Sequence, residues 1–380
     1  MKVLLFTNLY PCQRQPLHGT FVRERTERLA QRMGFDYEVL RPYPRVLGHL
    51  GRLLPSSPRR EDYQGRVINH VGYPHLPITG WLRQDQRMAD GLHRAFGDVL
   101  AFFSPDLVDA QYLYPDALAA IQLSRQVGLP CIATARGTDV NVLAMEPRLK
   151  ERFVSGLQQA TAVAAVSPAL AGILEREFGL ACVHVTPNGV DLDLFAPSTG
   201  ERPLAQRLIS VGRLVPGKAF DLLVEALALE SELPPLELIG SGPEKSRLMK
   251  LARRRGVQQR LHLRGSLSRE ELARELSRGG VFAFPSRREG WPNAVLEALA
   301  CGLPVCASSV GGIPDIVGSC GSLMPLEADA LEWARTLRTL CRAYAEEGPK
   351  LQNLARHRSE AFSWDQSLGA TEAFYEEALR

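Results

Sequence analysis

The chain lacks a CxxC pair, a long apolar run, a low-complexity block and any repeat at solenoid spacing. Each absence removes a class of protein. No run approaches the roughly eighteen apolar residues of a spanning helix, so any membrane contact is expected to be peripheral. The opening MKVLLFTNLYPCQ has a short apolar part, almost no basic charge ahead of it and Pro11 directly after it, so it is not read as a signal peptide. The seven cysteines (Cys12, Cys131, Cys182, Cys301, Cys306, Cys320 and Cys341) are odd in number and scattered, which argues against a disulfide framework. Cys131 and Cys182 sit inside apolar runs and read as reduced thiols filling core positions, as in a cytosolic chain. The formal net charge of +3 is too small to indicate a nucleic-acid binder. A metal-ligand cluster is missing as well. No DxD-like pair sits at a strand end in a plausible site, and Asp191–Asp193 falls in a loop, so no metal and no other cofactor is expected.

What is present is an ordinary globular composition, 45% hydrophobic and 23% charged, over 380 residues. That length exceeds one ordinary core and favours two domains of about 150–200 residues each. The first sixty residues carry 11 basic side chains against 4 acidic ones, among them Arg41, Arg45, Arg52, Arg59 and Arg60. Such a stretch either attracts anionic partners, lipid headgroups or a diphosphate-linked acceptor included, or is simply a solvated arginine-rich surface.

Short apolar runs alternate with amphipathic stretches throughout. Val3–Phe6, Tyr37–Leu40, Val67–Asn69, Leu107–Ala110, Cys131–Thr134, Ala162–Val166 and Val183–Val185 read as strands. A helix is expected from about Phe21 to Met33, with Val22, Leu29, Ala30 and Met33 along one face. The pattern pauses over NGVDLDLFAPSTGER, rich in Pro, Gly and Asp. It resumes with Leu208–Val211, Leu236–Ile239, Leu261–Leu263, Val281–Phe284 and Pro304–Ala307. Strands alternating with helices imply parallel sheets covered on both faces. Two such α/β units are expected, one over residues 1–190 and one over 204–360, with residues 191–203 as the linker. Ligands bind beyond the carboxyl ends of strands in such sheets, and a cleft between the domains is the default site.

The segment LISVGRLVPGKAFDLLVEALALE offers the first candidate site. A strand ends at Gly212, a loop carries Arg213, Gly217 and Lys218, and a helix begins near Phe220. Loop glycines let backbone approach phosphates, and a helix N-terminus adds amide donors. Arg213 and Lys218 can cap a diphosphate with charge-assisted hydrogen bonds of about 1.5–3 kcal/mol each. The same string fits GxxxxGK, but a phosphate loop needs Ser or Thr next to coordinate magnesium, and here Ala219 follows. Pro216 removes one further amide. A strand-turn-helix with surface charges is the bland alternative.

The second candidate is FAFPSRREGWPNAVLEALACGLPVCASSVGGIPDIV. Pro292 suits a first helical turn, which leaves Glu289 and Gly290 in the loop ahead of the helix and Glu297 more than a turn inside it. On one continuous helix the two acids would stand about 12 Å apart in rise, far beyond the roughly 5–5.5 Å of a retaining glycosidase pair. Two contacts along one extended ligand fit better, such as a ribose at Glu297 and a hexose at Glu289. The alternative is a pair of solvated acids.

These residues resemble glycosyltransferase family 4, retaining enzymes of the GT-B fold, and in particular bacterial members that build cell-surface polysaccharides. The resemblance spans nearly the whole chain. Its most specific element is the Glu-x7-Glu pattern from Glu289 to Glu297. VTPNGVDLDLF, SVGRLVPGKAFDLLVEAL and IGSGPEKSRL support it. FSWDQSLGATEAFYEEAL resembles the family's terminal helix, so residues 361–380 are expected to return to the first domain. The resemblance implies that Arg213 and Lys218 hold the donor diphosphate, Glu297 the ribose hydroxyls, and that Glu289 faces the transferred sugar. The backbone at Gly212 would border the phosphates. Amides around Gly290, Trp291, Asn293, Ala294 and Val295 would touch sugar and phosphates, and Gly19 would let its loop approach the donor. Many relatives carry His in an HGxD motif that contacts the donor sugar. This chain has ARGTDV, with Arg136 at that place and Asp139 following. His18, beside Gly19, is a substitute for the missing imidazole or a structural residue.

The function implied is transfer of a hexose-type sugar, with retention, from a UDP- or GDP-sugar to a glycan or lipid-linked acceptor. Arg213 and Lys218 would take the positive role often given to Mg²⁺. The departing diphosphate would accept the acceptor's proton. The expected location is the cytoplasm, with the inner face of the membrane as the place of any peripheral contact. A sugar-nucleotide epimerase of the same architecture and an inactive binding protein are the competing readings.

Overall fold

The structure, a computed structural model, describes residues 1–46, 60–75, 83–198 and 207–380. Arg52 and Arg59 of the basic stretch, and residues 199–203 of the expected linker, lie outside the described residues. The chain divides into two compact units, Met1–Pro187 with Ser367–Arg380, and Asn188–Gln366.

The first unit runs β1 (Lys2–Phe6), α1 (Thr20–Met33), β2 (Asp36–Val46), β3 (Arg60–Tyr63), β4 (Arg66–His75), α2 (Gln84–Phe103), β5 (Leu107–Gln111), α3 (Leu118–Val127), β6 (Cys131–Ala135), α4 (Pro147–Leu157), β7 (Ala162–Ala165), α5 (Pro168–Phe178) and β8 (His184–Val185). Its sheet has the order β3-β4-β2-β1-β5-β6-β7-β8. Every pairing is parallel except β3 with β4. Strands β5 and β6 are buried along their whole length, which is why they read as unbroken apolar runs: a parallel strand meets helices on both faces. Strand β3 escaped sequence reading because REDY is charged, as suits a sheet edge. Gln64 and Gly65 join it to β4 with φ of 52° and 78°, the twisted two-residue turn that antiparallel hairpins favour. Helix α1 buries Val22, Leu29 and Ala30 and stops at Gly34, whose left-handed φ of 66° frees it to cap Ala30.

The second unit runs β9 (Leu208–Val211), α6 (Phe220–Leu229), β10 (Leu236–Ile239), α7 (Lys245–Arg254), β11 (Leu261–Gly265), α8 (Arg269–Ser277), β12 (Val281–Phe284), α9 (Asn293–Ala300), β13 (Val305–Ser308), α10 (Ile313–Val317), β14 (Gly321–Met324) and α11 (Ala330–Glu360). Its all-parallel sheet has the order β11-β10-β9-β12-β13-β14. Strands β9 and β12 therefore lie at the centre, and the loops beyond their carboxyl ends carry Gly212–Lys218 and Pro285–Trp291.

Four expectations need correction. The segment read as a linker starting at 191 is pinned as far as Phe195. Arg356 of α11 donates to the carbonyls of Phe195 at 2.7 Å, Ala300 at 2.8 Å and Leu192 at 3.0 Å. The polar, Pro-rich composition hides this, because the anchor is backbone carbonyl. The tail belongs to the first unit only from Ser367, within α12 (Trp364–Ala378). There Tyr375 donates to Asp109 Oδ2 at 2.5 Å and stacks on Phe35 at 5.8 Å. Cys182 is exposed, unlike the buried Cys131, because it follows the end of α5 and precedes β8. Arg41 is no surface charge: it is 6% exposed, and its Nε donates to the Tyr10 carbonyl at 3.0 Å. Of the other arginines named for that stretch and described, Arg60 pairs with Glu38 at 3.4 Å and Arg45 is exposed.

Candidate active site

In the second unit the site is assembled by loops that lock onto one another. Beyond β9, Gly212 N donates to Ile239 O and Leu214 N to Ser241 O, each at 2.9 Å. This zips the β9 loop to the β10 loop. The approach demands glycine. A Cβ on Gly240, whose φ is +143°, would lie 1.9 Å from Gly212 O, and one on Gly242 would lie 2.3 Å from Leu214 O. Pro216–Lys218 then forms a tight 3-10 turn, and Ala219 adopts a left-handed φ of 50° before α6.

Lys218 is the centre of the arrangement. Its Nζ donates to Glu289 Oε1 at 2.5 Å, with the two side chains 22% and 11% exposed. It also lies 4.8 Å from the centre of the Phe284 ring, whose face attracts a cation. The loop after β12 is tied to the same turn: Arg287 N donates to Gly217 O at 2.9 Å, and the Ser286 hydroxyl stands 3.3 Å from Gly217 O and from Arg288 O. A third loop holds the glutamate from behind. Gly311, φ +55°, brings its Cα face so close that a Cβ would sit 2.1 Å from Glu289 O, and Gly312 N donates to Gly290 O at 3.0 Å. Arg213, next to Gly212, is exposed and makes no side-chain hydrogen bond or ion pair among the described residues.

Helix α9 starts immediately after this loop. Pro292 is its N-cap and lies outside the first turn, contrary to expectation, with an extended ψ of 103°. It has no side chain to accept a hydrogen bond. The amides of Asn293 and Ala294 therefore have no acceptor among the described residues, and they present the positive helix end. Val295 does not join them: its amide donates to Pro292 O at 3.0 Å and its side chain is fully buried. Trp291 is likewise spent internally, with Nε1 on Asn188 O at 2.9 Å and its ring edge-on to Phe362 at 5.5 Å. Asn293 accepts from Asn188 at 3.0 Å. Glu297 is half-buried one turn into α9. Burial, and then its charge, push the Cys301 thiol up.

The residues expected from the first unit make contacts of their own within it. Gly19, φ +71°, is required by its own loop, since a Cβ there would stand 2.4 Å from the Leu9 carbonyl group. The Arg136 guanidinium donates to Gln111 Oε1 and lies 5.4 Å from the Phe21 ring. Burial, followed by the neighbouring Arg25, pushes it down to about 9. Asp139 is fully buried. It accepts from the amides of Gly137 at 2.7 Å, Leu113 at 2.8 Å, and Arg136 and Val140 at 3.1 Å. A direct ligand contact for Asp139 is therefore corrected: it is a positioning residue that shapes the turn after β6. His18 borders a cavity of about 520 Å³ with Arg14 and Arg41.

Residues 18–194 match the family described as Glycosyltransferase Family 4, and residues 205–343 the family described as Glycosyl transferases group 1. The MMP alpha-(1->4)-mannosyltransferase of Mycolicibacterium hassiacum is 32% identical over 95% of this chain and 94% of its own. This chain belongs to glycosyltransferase family 4. The glycosyltransferase is also 29% identical, over 88% of each chain, to a Bacillus subtilis protein named for teichuronic acid biosynthesis. Among solved structures, sucrose-phosphate synthase from Thermosynechococcus elongatus superposes with a TM-score of 0.75 at 20% identity, covering 99% and 98% of the two chains. Anabaena HepE in complex with UDP and glucose does so with 0.73 at 19% identity, covering 99% and 98%. Two parallel-sheet α/β domains of the GT-B class are thereby shown.

Sequence reading of the glycosyltransferase missed Gly240, Gly242, Ser286, Gly311 and Gly312 as builders of the site. Their signal was there in IGSGPEKSRL and SSVGGIPDIV, but a glycine's reason lies in the backbone it approaches, and that neighbour is remote in sequence. For a cation, one group of ligand-type residues comes together among the described residues: Cys12, Glu61 and His70 of the first unit.

Proposed function

We propose that the glycosyltransferase moves a hexose-type sugar from a UDP- or GDP-sugar to a glycan or lipid-linked acceptor, with retention of anomeric configuration and without a catalytic metal. The observation that carries this is the Lys218–Glu289 contact at 2.5 Å beside the uncapped start of α9. An ammonium, an exposed guanidinium at Arg213 and unclaimed helix amides are the donors a diphosphate needs. Glu289 keeps Lys218 placed until the donor arrives. The diphosphate then competes for the ammonium, and the carboxylate turns to hydroxyls of the transferred sugar. Charge that builds on the leaving diphosphate as the glycosidic bond breaks is met by Arg213, Lys218 and the amides of Asn293 and Ala294. The same diphosphate accepts the acceptor's proton on the face from which it leaves. Glu297 takes the ribose hydroxyls. The binding of UDP and glucose by HepE supports a nucleotide-sugar donor, and the name of the Bacillus subtilis relative supports a cell-surface polysaccharide acceptor. Peripheral contact with the inner membrane face, in a cytoplasmic enzyme, rests on Arg45 and Arg60.

A thermal-shift screen of UDP-, GDP- and ADP-sugars tests the donor class. A ligand at a hundred times its dissociation constant stabilises by about 2.7 kcal/mol. Product anomer and acceptor-dependent nucleotide release then separate transfer from epimerisation. No shift with any nucleotide sugar, or nucleotide release that ignores acceptor, would overturn the proposal; an inverted anomer would overturn retention.

A further inference from the structure

Three residues that glycosyl transfer does not use meet in the first unit: Cys12 in the β1–α1 loop, Glu61 on β3 and His70 on β4. One ligand atom of each, with one or other ring nitrogen standing for His70, lies within 4.8 Å of the other two. Their exposures are 2%, 7% and 3%. Glu61 pairs in register with Ile68, so His70, two residues on, is its diagonal neighbour on the same face of the hairpin.

The details are those of a prepared ligand set. His70 Nε2 lies 2.8 Å from Glu61 Oε2, and Gln13 N donates to Glu61 Oε1 at 2.8 Å, which fixes the carboxylate beside the cysteine loop. A neutral imidazole carries one N–H and one lone pair. With the N–H given to Glu61, the lone pair falls on Nδ1, and Nδ1 is buried without a hydrogen-bond partner among the described residues. Burying such a group unsatisfied costs about 1–3 kcal/mol. Histidines that bind metals characteristically give their other nitrogen to a carboxylate, which orients the ring.

We propose that Cys12 and His70 bind a zinc-class divalent cation, with Glu61 as the carboxylate that orients the imidazole. A thiolate with an imidazole selects zinc or cobalt over magnesium and calcium, which take oxygen ligands. Binding releases the thiol proton to solvent. Thiolate and carboxylate then supply two negative charges against the dication. Arg41, the register partner of His70 on β2, directs its guanidinium to Tyr10 O and Gln15 Oε1. Cys12 also lines the cavity of about 520 Å³ that holds Arg14 and His18, so water or a ligand oxygen has access to complete the coordination. The ion would tie the β1–α1 loop, which carries Gly19, to the β3–β4 hairpin.

The test is titration of the chelator-treated full chain with Zn²⁺ against a chromophoric competitor, and with Co²⁺ read by its thiolate charge-transfer band. One equivalent is expected, with the band present. Cys12→Ser should abolish the band and weaken zinc by at least about 100-fold, Glu61→Gln should weaken it by about 10–100-fold, and Cys182→Ser should change neither. Unaltered zinc binding in Cys12→Ser, or a cobalt spectrum without the band, overturns the proposal. Should Cys12→Ser fail to fold by circular dichroism, the unmutated chain decides: Zn²⁺ should slow alkylation of Cys12, located by peptide mass spectrometry, and an equal rate with and without zinc overturns the assignment. Because the readouts are binding and alkylation, they stand apart from any measurement of sugar transfer.

Discussion

Replacing Lys218 with Met keeps the apolar stem over Phe284 and removes the ammonium. Glu289 then loses a charge-assisted hydrogen bond of 2.5 Å. Such bonds contribute about 1.5–3 kcal/mol when well buried, whereas exposed ion pairs contribute about 0–1 kcal/mol. With side chains 22% and 11% exposed, this pair lies between those limits, so a stability loss of about 1–2 kcal/mol is expected by denaturant unfolding. Turnover should fall further, by at least about ten-fold or ~1.4 kcal/mol in the barrier, because in the proposed mechanism the ammonium also meets the leaving diphosphate. The double variant Lys218→Met with Glu289→Gln separates the two roles. Removing both partners leaves no orphaned charge, so stability should recover by about 1 kcal/mol relative to the sum of the single changes. Turnover should not recover, since nothing replaces the cation. Near-normal turnover in Lys218→Met, or recovery of turnover together with stability in the double variant, would refute the reasoning.

Other expectations are simpler. Gly240→Ala places a Cβ 1.9 Å from Gly212 O at a φ of +143°; it should lower stability by about 1–3 kcal/mol and weaken nucleotide-sugar binding in a titration. Asp139→Ala strips the acceptor from the amides of Leu113, Arg136, Gly137 and Val140; at about 1–3 kcal/mol per buried orphan, unfolding at much lower denaturant is expected. Burial pushes the Asp116 carboxyl up to about 7 from an ordinary 3.8. The folded chain thus holds a proton there that the unfolded chain has released, a stabilisation complete below about pH 3.8 and lost as pH rises through about 7; Asp116→Asn should remove that part of the decline between these values when unfolding is followed against pH. Finally, Mg²⁺ added back to chelator-treated enzyme should leave turnover unchanged, and a clear gain would reject the metal-free chemistry.

Sequence alone determined the class of the fold and pointed to the loops of the second unit in which the candidate residues lie. Buried parallel strands such as Val281–Phe284 must be apolar on both faces, and so they are legible without a structure. The loop positions of Gly212, Lys218 and Glu289 were legible for a related reason: they follow the apolar runs of β9 and β12, and loops beyond strand ends are where α/β sheets offer backbone polar groups and charges. Tertiary structure decided which of the candidates meet. It paired Lys218 with Glu289, gave Glu289 its support from Gly311, withdrew Val295 and Trp291 into internal bonds, and turned Asp139 from a ligand contact into a turn anchor. It buried Arg41, which composition had placed on the surface, and it collected Cys12, Glu61 and His70 from three separate elements. The physical reason is the same in each case. Local sequence sets what a residue prefers, but a hydrogen bond, an ion pair or a forbidden Cβ depends on an atom brought from far along the chain, and only the packed sheets say which atom that is.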